Sequence, residues 1–309
     1  MSPMQTRTLG RTGLTVSVLG FGCGAVGGLM VRGDPADQER TVARALELGV
    51  TYFDTAPGYG DGESERNIGR VLAKLKPNVF LGTKIRLAPE QKTDIASAIR
   101  AGMEASLRRL GRDSVDLFQL HNPITQDGAG GSLATRMVLD QVVPAFETLR
   151  RQGKTRFLGI TAIGDTDSLH AIIDSGKFDT AQIAYNMLNR NKLAARIHAA
   201  GMGTIGIRVL AGGALSGEAA RHPIASPPPE PIDSGPDYDS DLAKARSLRP
   251  LIEAAGAASL AEVAIRFAIG EAAMSTTLIG IATPEQFEIA AAAAAKGKLP
   301  DSVLDQVRP

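Results

Sequence analysis

Short apolar runs alternate with longer amphipathic stretches along this chain from its first strand to about residue 296, and that rhythm limits the fold more than anything else. The apolar runs are predicted as strands over Val16–Phe21, Tyr52–Asp54, Val79–Lys84, Val115–His121, Arg156–Thr161, Thr180–Tyr185, Thr204–Leu210 and Thr276–Ile281. Strands that alternate with helices pair in parallel, because a crossover helix returns the chain to the end of the sheet where the previous strand began. Eight such units, with no Gly/Ser or Pro linker dividing them, favour a closed parallel (β/α)₈ TIM barrel over a doubly wound open sheet. The reading is one α/β domain over residues 1–309, with a short N-terminal hairpin and a long loop after the seventh strand.

The amphipathic stretches carry their own start and stop signals. Asp34-Pro35 is a cap followed by proline at the first helical position, and Gly49 closes that helix just before the second strand. Ile95, Ile99, Met103, Leu107 and Leu110 recur at helical spacing up to Gly111, and Leu169, Ile172 and Ile173 precede Gly176 in the same way. Ser259 with Glu262, and Thr283 with Gln286 after Pro284, have capping-box spacing. The alanine run at 290–295 reads as helix, since alanine is the best helix former.

Charge and cysteine content narrow the function classes. Lys plus Arg (34) nearly cancels Asp plus Glu (33), so no overall field would draw nucleic acid or an anionic membrane. The single cysteine, Cys23, forbids an intrachain disulfide, and the N-terminal residues hold no apolar run for a signal peptide or anchor. A soluble cytoplasmic protein with a neutral small-molecule partner is expected, its oligomeric state left open. His170, His198 and His222 lack partners at metal spacing.

In a parallel barrel the strand ends share one rim, where catalytic groups sit. Asp54 ends the second predicted strand, Tyr59 lies in the loop after it, Lys84 ends the third and His121 the fourth. Each has a bland explanation: a turn cap, a ring on an apolar shoulder, a solvated amine, a hydrogen-bonded structural imidazole. Together they make an acid–base device. A phenol with an unperturbed pKa of about 10 must be tuned toward neutrality to exchange a proton efficiently, and a neighbouring ammonium does this. Lys84 can supply the ammonium, Asp54 can hold it by an ion pair, and His121 can donate a hydrogen bond to a bound carbonyl.

The same residues carry a family resemblance. TYFDTAPGYG, GTKI and LHNP, in that order and spacing, resemble the Asp, Tyr, Lys and His tetrad of the aldo-keto reductases. The likeness extends to LGFGCGAVG, LGITAIGD, QIAYN, GMGTIGIRVLAGGALSG and IGIATPEQ, and so covers nearly the whole chain. It implies a barrel that binds an extended nicotinamide nucleotide and transfers hydride to or from the carbonyl carbon of an aldehyde, ketone or sugar. Tyr59 would be the general acid in reduction and the general base in oxidation.

Carried over residue by residue, the resemblance puts Gly22, Cys23 and Gly24 against the nicotinamide, with Asp54 beneath it and Gln182 near its carboxamide. Thr161-Ala162 stands where the family often has Ser-Asn, so the hydroxyl survives and the amide does not. Ile207 replaces an aromatic that stacks on the ring, and Arg208 follows it in place of a small residue. Leu210, Gly212 and Leu215 belong to the turn over the pyrophosphate; Gly280, Thr283 and Gln286 belong to the adenosine end. No Lys or Arg occurs between Ser275 and Ala295, and Ala290 stands where an asparagine often meets the adenine. NADPH is therefore expected with only a weak preference over NADH unless Arg221 reaches over from the loop.

Competing readings have specific tests. A lyase or aldolase would use Lys84 as a Schiff-base nucleophile, which requires a neutral amine. A nucleotide-sensing regulatory subunit would keep the fold and lose turnover. GFGCGAVGG does not match the G-x-G-x-x-G dinucleotide loop. Residues around Met30 and Asn122 and the loop 213–241 would line the substrate pocket without identifying the substrate. That loop, rich in Pro, Gly, Ser and Asp, is expected to be looser without nucleotide than with it.

Overall fold

The computed structural model describes residues 4–307 apart from 190 and 219. Eight parallel strands close into a barrel in chain order: Leu19–Gly22, Tyr52–Asp54, Phe80–Ile85, Val115–Leu120, Thr155–Thr161, Thr180–Ala184, Gly203–Ile207 and Thr276–Gly280. The last pairs with the first through Leu278↔Gly20 and Gly280↔Gly22, so the sheet has no edge.

Most predicted strand ends lie within one residue of those observed, and two differ by more. The run predicted over Val16–Phe21 is split: Thr15–Ser17 pairs antiparallel with Thr6–Thr8 in a hairpin, and only Leu19–Gly22 enters the barrel. The seventh strand ends at Ile207 rather than Leu210, because Arg208 adopts a left-handed φ of 57° that breaks the extended chain.

The hairpin closes the barrel floor. Leu9, Leu14 and Val16 pack with Tyr52, Leu117, Ile205 and Leu278 in an apolar cluster separate from the main core between barrel and helices. Arg7 fixes the hairpin by donating to the carbonyls of Ile269, Glu271 and Met274.

The helices start where the sequence caps them. Asp34 accepts from Ala36 N–H at 2.8 Å to open Pro35–Glu47, and Ser259 accepts from Glu262 N–H to open Leu260–Gly270. Ile95–Leu110 ends at Gly111 with φ 62°, a conformation glycine reaches without Cβ strain. The helix over 284–295 begins with Thr283 accepting from Gln286 N–H.

The long loop after the seventh strand lies down on the rim, described apart from residue 219. Arg221 donates to Gly212 O, to Ser226 O and to Val26 O, while Arg32 donates to Ile224 O at 2.6 Å. The ordered stretch thus ties the seventh loop to the first. Tyr238 starts a helix, Tyr238–Ser247, capped by Asp237.

Candidate active site

Period-two alternation aims Tyr52 and Asp54 into the barrel from one strand, and Gln119 from another. The register sets Asp54 beside Gly82, and Lys84 beside Gln119. Gly82 has no side chain, so groups from neighbouring strands meet across it. A Cβ there would lie 2.6 Å from Tyr52 Oη and 3.3 Å from Asp54 Oδ2.

Asp54 is the hub of the meeting. Its Oδ1 accepts from Lys84 Nζ, and its Oδ2 accepts from Gln182 Nε2 at 2.7 Å and from Tyr52 Oη and Gln119 Nε2 at 3.0 Å each. Asp54 and Lys84 are buried, 3% and 1% exposed, and unpaired charges at that depth would cost several kcal/mol apiece. The donors and the ion pair offset this cost. Lys84 Nζ also donates to Thr55 O at 2.9 Å and to Tyr59 Oη at 3.3 Å.

Burial on its own would lower the Lys84 ammonium, but the charges and acceptor oxygens of Asp54 and Tyr59 raise it above its ordinary value. Lys84 is therefore a charged donor, which disfavours the Schiff-base alternative. His121 stands beside Tyr59, its ring edge-on with centroids 6.1 Å apart. Burial, then the charges of Lys84 and Arg86, lower His121 to about 3, so the imidazole is neutral in ordinary buffers. A neutral imidazole donates from one nitrogen, which suits an uncharged oxygen acceptor.

The four residues expected at the strand ends are brought together, His121 one residue past its strand. Burial first, then the Asp54 charge, push the Cys23 thiol far up, leaving it inert. Gln182 donates through Nε2 to Asp54 Oδ2. Gln286 is engaged by Ala282 N–H and, through Nε2, by Glu218. Leu215 is wholly buried under the turn, where Gly212 has φ 67° and Pro229 lies across it. Gly280 is exposed at the end of the eighth strand, and Ala162 is buried just past the end of the fifth. Asn122 is structural: its amide bridges Leu87 and Gly131. Met30 is buried in the core.

Thr161 and Arg208 each carry a polar group without a partner among the described residues. Thr161 Oγ1 is buried without a hydrogen bond among the described residues. The Arg208 guanidinium is half-buried, lowered by burial, and makes no hydrogen bond or ion pair among the described residues. A hydroxyl seeking an amide and a guanidinium seeking an anion fit a nicotinamide dinucleotide laid across this rim. Gly24 lies beside Tyr59, where a Cβ would stand 3.9 Å from the ring.

The sequence profile of the aldo/keto reductase family matches residues 18–308. The chain belongs to that family. It is thus an NAD(P)H-dependent oxidoreductase acting on small carbonyl compounds. It is 27% identical to L-galactose dehydrogenase of Arabidopsis thaliana over 298 residues, 93% of this chain and 87% of that protein. It is 29% identical to the NADH-specific methylglyoxal reductase of Escherichia coli over 205 residues, 60% of each chain. The holo form of the aldo-keto reductase AKR11C1 from Bacillus halodurans superimposes with a TM-score of 0.76 at 26% identity, covering 99% of this chain and 95% of that one. No helix among the described residues is long and apolar enough to cross a membrane.

Sequence reasoning missed Tyr52, Gln119 and Arg86. The first two stand two residues before Asp54 and His121, hence on the same inward face, and that period was the available signal. Arg86 follows its strand directly, and its influence on His121 emerges only from the packing.

Proposed function

We propose that Tyr59 exchanges the proton with the substrate oxygen during reversible reduction of an aldehyde, ketone or sugar. One observation carries this reading: Lys84 Nζ is bonded at once to Asp54, Thr55 O and Tyr59 Oη. The ammonium stabilises the phenolate that remains after Tyr59 has given up its proton, and Asp54 keeps the ammonium in place. His121 donates to the carbonyl oxygen and fixes its approach to Tyr59.

The bound nicotinamide nucleotide supplies or accepts the hydride. Thr161 and Ala162 would face its carboxamide, Gly22, Cys23 and Gly24 its ring, and Ile207 its far side. Arg208, Leu210 and Gly212 would hold the pyrophosphate. Gly280 and Thr283, at a helix N-terminus, would meet the adenosine end, where the helix dipole favours an anion. Both NADPH and NADH are accepted in this reading, because no Lys or Arg lies in the segment 275–295 and the Arg221 donors are directed at backbone carbonyls.

Relatives named for methylglyoxal and L-galactose make small aldehydes and aldoses the first substrates to test. The reading also treats residues 1–309 as one domain, since Val303 and Leu304 join the same core as the barrel helices. A cytoplasmic location agrees with a single buried, unpaired cysteine.

The test is nicotinamide absorbance with a panel of carbonyls and aldoses, using wild type and Tyr59→Phe. Phe keeps the ring and removes the proton, so turnover should fall at least ~10²-fold while nucleotide binding persists. Turnover above about a tenth of wild type would sink the assignment. Borohydride trapping of substrate on Lys84 would instead support the Schiff-base reading.

A further inference from the structure

A buried ammonium and carboxylate can exist as an ion pair or as a neutral amine and acid, and a dry interior narrows the gap between them. What surrounds the carboxylate decides. Around Asp54 the barrel supplies three neutral donors from three strands, all aimed at the oxygen that faces away from Lys84.

We propose that Tyr52 and Gln119 are positioning residues for proton exchange: with Gln182 they load Asp54 Oδ2 with donors, so that Asp54 keeps its charge and Lys84 keeps its proton toward Tyr59. The proposal rests on the reading of Tyr59 as the proton-exchanging group.

The arrangement is specific. Tyr52 is 1% exposed, its ring in the floor cluster with Leu9, Leu14 and Val16 and its hydroxyl one layer higher against Asp54. Burial first, then the charge of Asp54, push the Tyr52 phenol well above its ordinary value, so it acts as a donor. Gln119 is wholly buried, and its amide must turn N–H toward the carboxylate, since an oxygen there would be repelled. Its Oε1 is then left without a partner among the described residues, so Gln119 gives up one bond to serve Asp54.

Two glycines make the space. A Cβ on Gly82 would lie 2.6 Å from Tyr52 Oη and 3.4 Å from Gln119 Nε2, and one on Gly159 would lie 2.9 Å from Gln119 Cγ. Real side chains do not tolerate the shorter of these contacts.

Removing a donor makes Asp54 more basic, so it draws the shared proton from Lys84 and weakens the positive charge that Tyr59 meets. The other charged or titratable groups around this site are left in place: His121, edge-on to the Tyr59 ring and within reach of the Arg86 charge, Arg208 just past the end of the seventh strand, and the Cys23 thiol near Asp54 and Lys84.

The chain has only four tyrosines, so tyrosine labelled with ¹³C at Cζ gives a readable spectrum of the ligand-free protein, and Tyr59→Phe assigns the signal. Tyr52→Phe and Gln119→Met should each move the Tyr59 titration midpoint to higher pH by about half a unit or more. The alkaline limb of kcat should move the same way. Midpoints within roughly 0.2 unit of wild type in the folded variants, with lowered Tm alone, would overturn the proposal and leave both residues purely structural. If Tyr52→Phe does not fold, Gln119→Met decides. The spectrum needs neither nucleotide nor substrate, so its outcome is separate from the turnover test on Tyr59→Phe.

Discussion

Replacing Lys84 by methionine keeps the stem's volume and deletes one charge from the buried pair. Loss of one partner from such a pair costs ~3–5 kcal/mol, because the other charge is left uncompensated. Here Asp54 retains three neutral donors on Oδ2, so the lower end, ~3 kcal/mol, is expected. At ~2 °C per kcal/mol for a chain of this size, Tm should fall by about 6 °C in a reversible calorimetric or circular-dichroism melt at pH 7. The deficit should narrow as the pH is lowered. The folded variant binds a proton at the stranded carboxylate more tightly than the unfolded chain does, so lowering the pH favours the fold. Lys84→Met with Asp54→Asn removes both charges and should regain most of the lost stability while staying as inactive as the single variant. A single variant that melts with wild type, or a double variant no more stable than the single, would refute the reasoning.

Three further outcomes follow from the site. His121 titrates at about 3 in the folded chain against about 6.5 unfolded, so between those values the unfolded state binds more protons and stability falls with falling pH. His121→Gln should remove ~2 kcal/mol of the loss between pH 7 and 4.5 in urea titrations; an unchanged pH slope would contradict the half-buried neutral imidazole. The kcat/KM ratio for NADPH over NADH should stay below about tenfold, or ~1.4 kcal/mol, and a ratio of a hundred would show that a cation reaches the 2′-phosphate after all. The loop 213–241 is tied down through Arg221 and Arg32, both bonded to backbone carbonyls, so saturating nucleotide should slow its proteolysis further. Equal cleavage rates with and without nucleotide would disconnect the loop from the cofactor.

The sequence by itself determined the barrel and the four groups on its rim. Both are written in local signals: period-two runs, helical stripes, caps such as Asp34-Pro35, and ionisable residues at strand ends, which parallel strands must place on one side. Where local pattern ran out, boundaries slipped. Val16–Phe21 reads as one strand, yet the chain turns between Ser17 and Leu19 to leave the hairpin and enter the barrel. Arg208 reads as strand, yet its left-handed backbone ends the ladder. Only the tertiary structure decided how the inward side chains share partners. Gln182 is drawn to Asp54, Gln119 reaches it past Gly82, Tyr52 rises to it from the floor, and Arg221 directs its donors at carbonyls of the first and seventh loops. Partner choice of this kind depends on barrel closure, strand stagger and the space left by glycines on neighbouring strands, distances between residues up to 195 positions apart that no local spacing encodes.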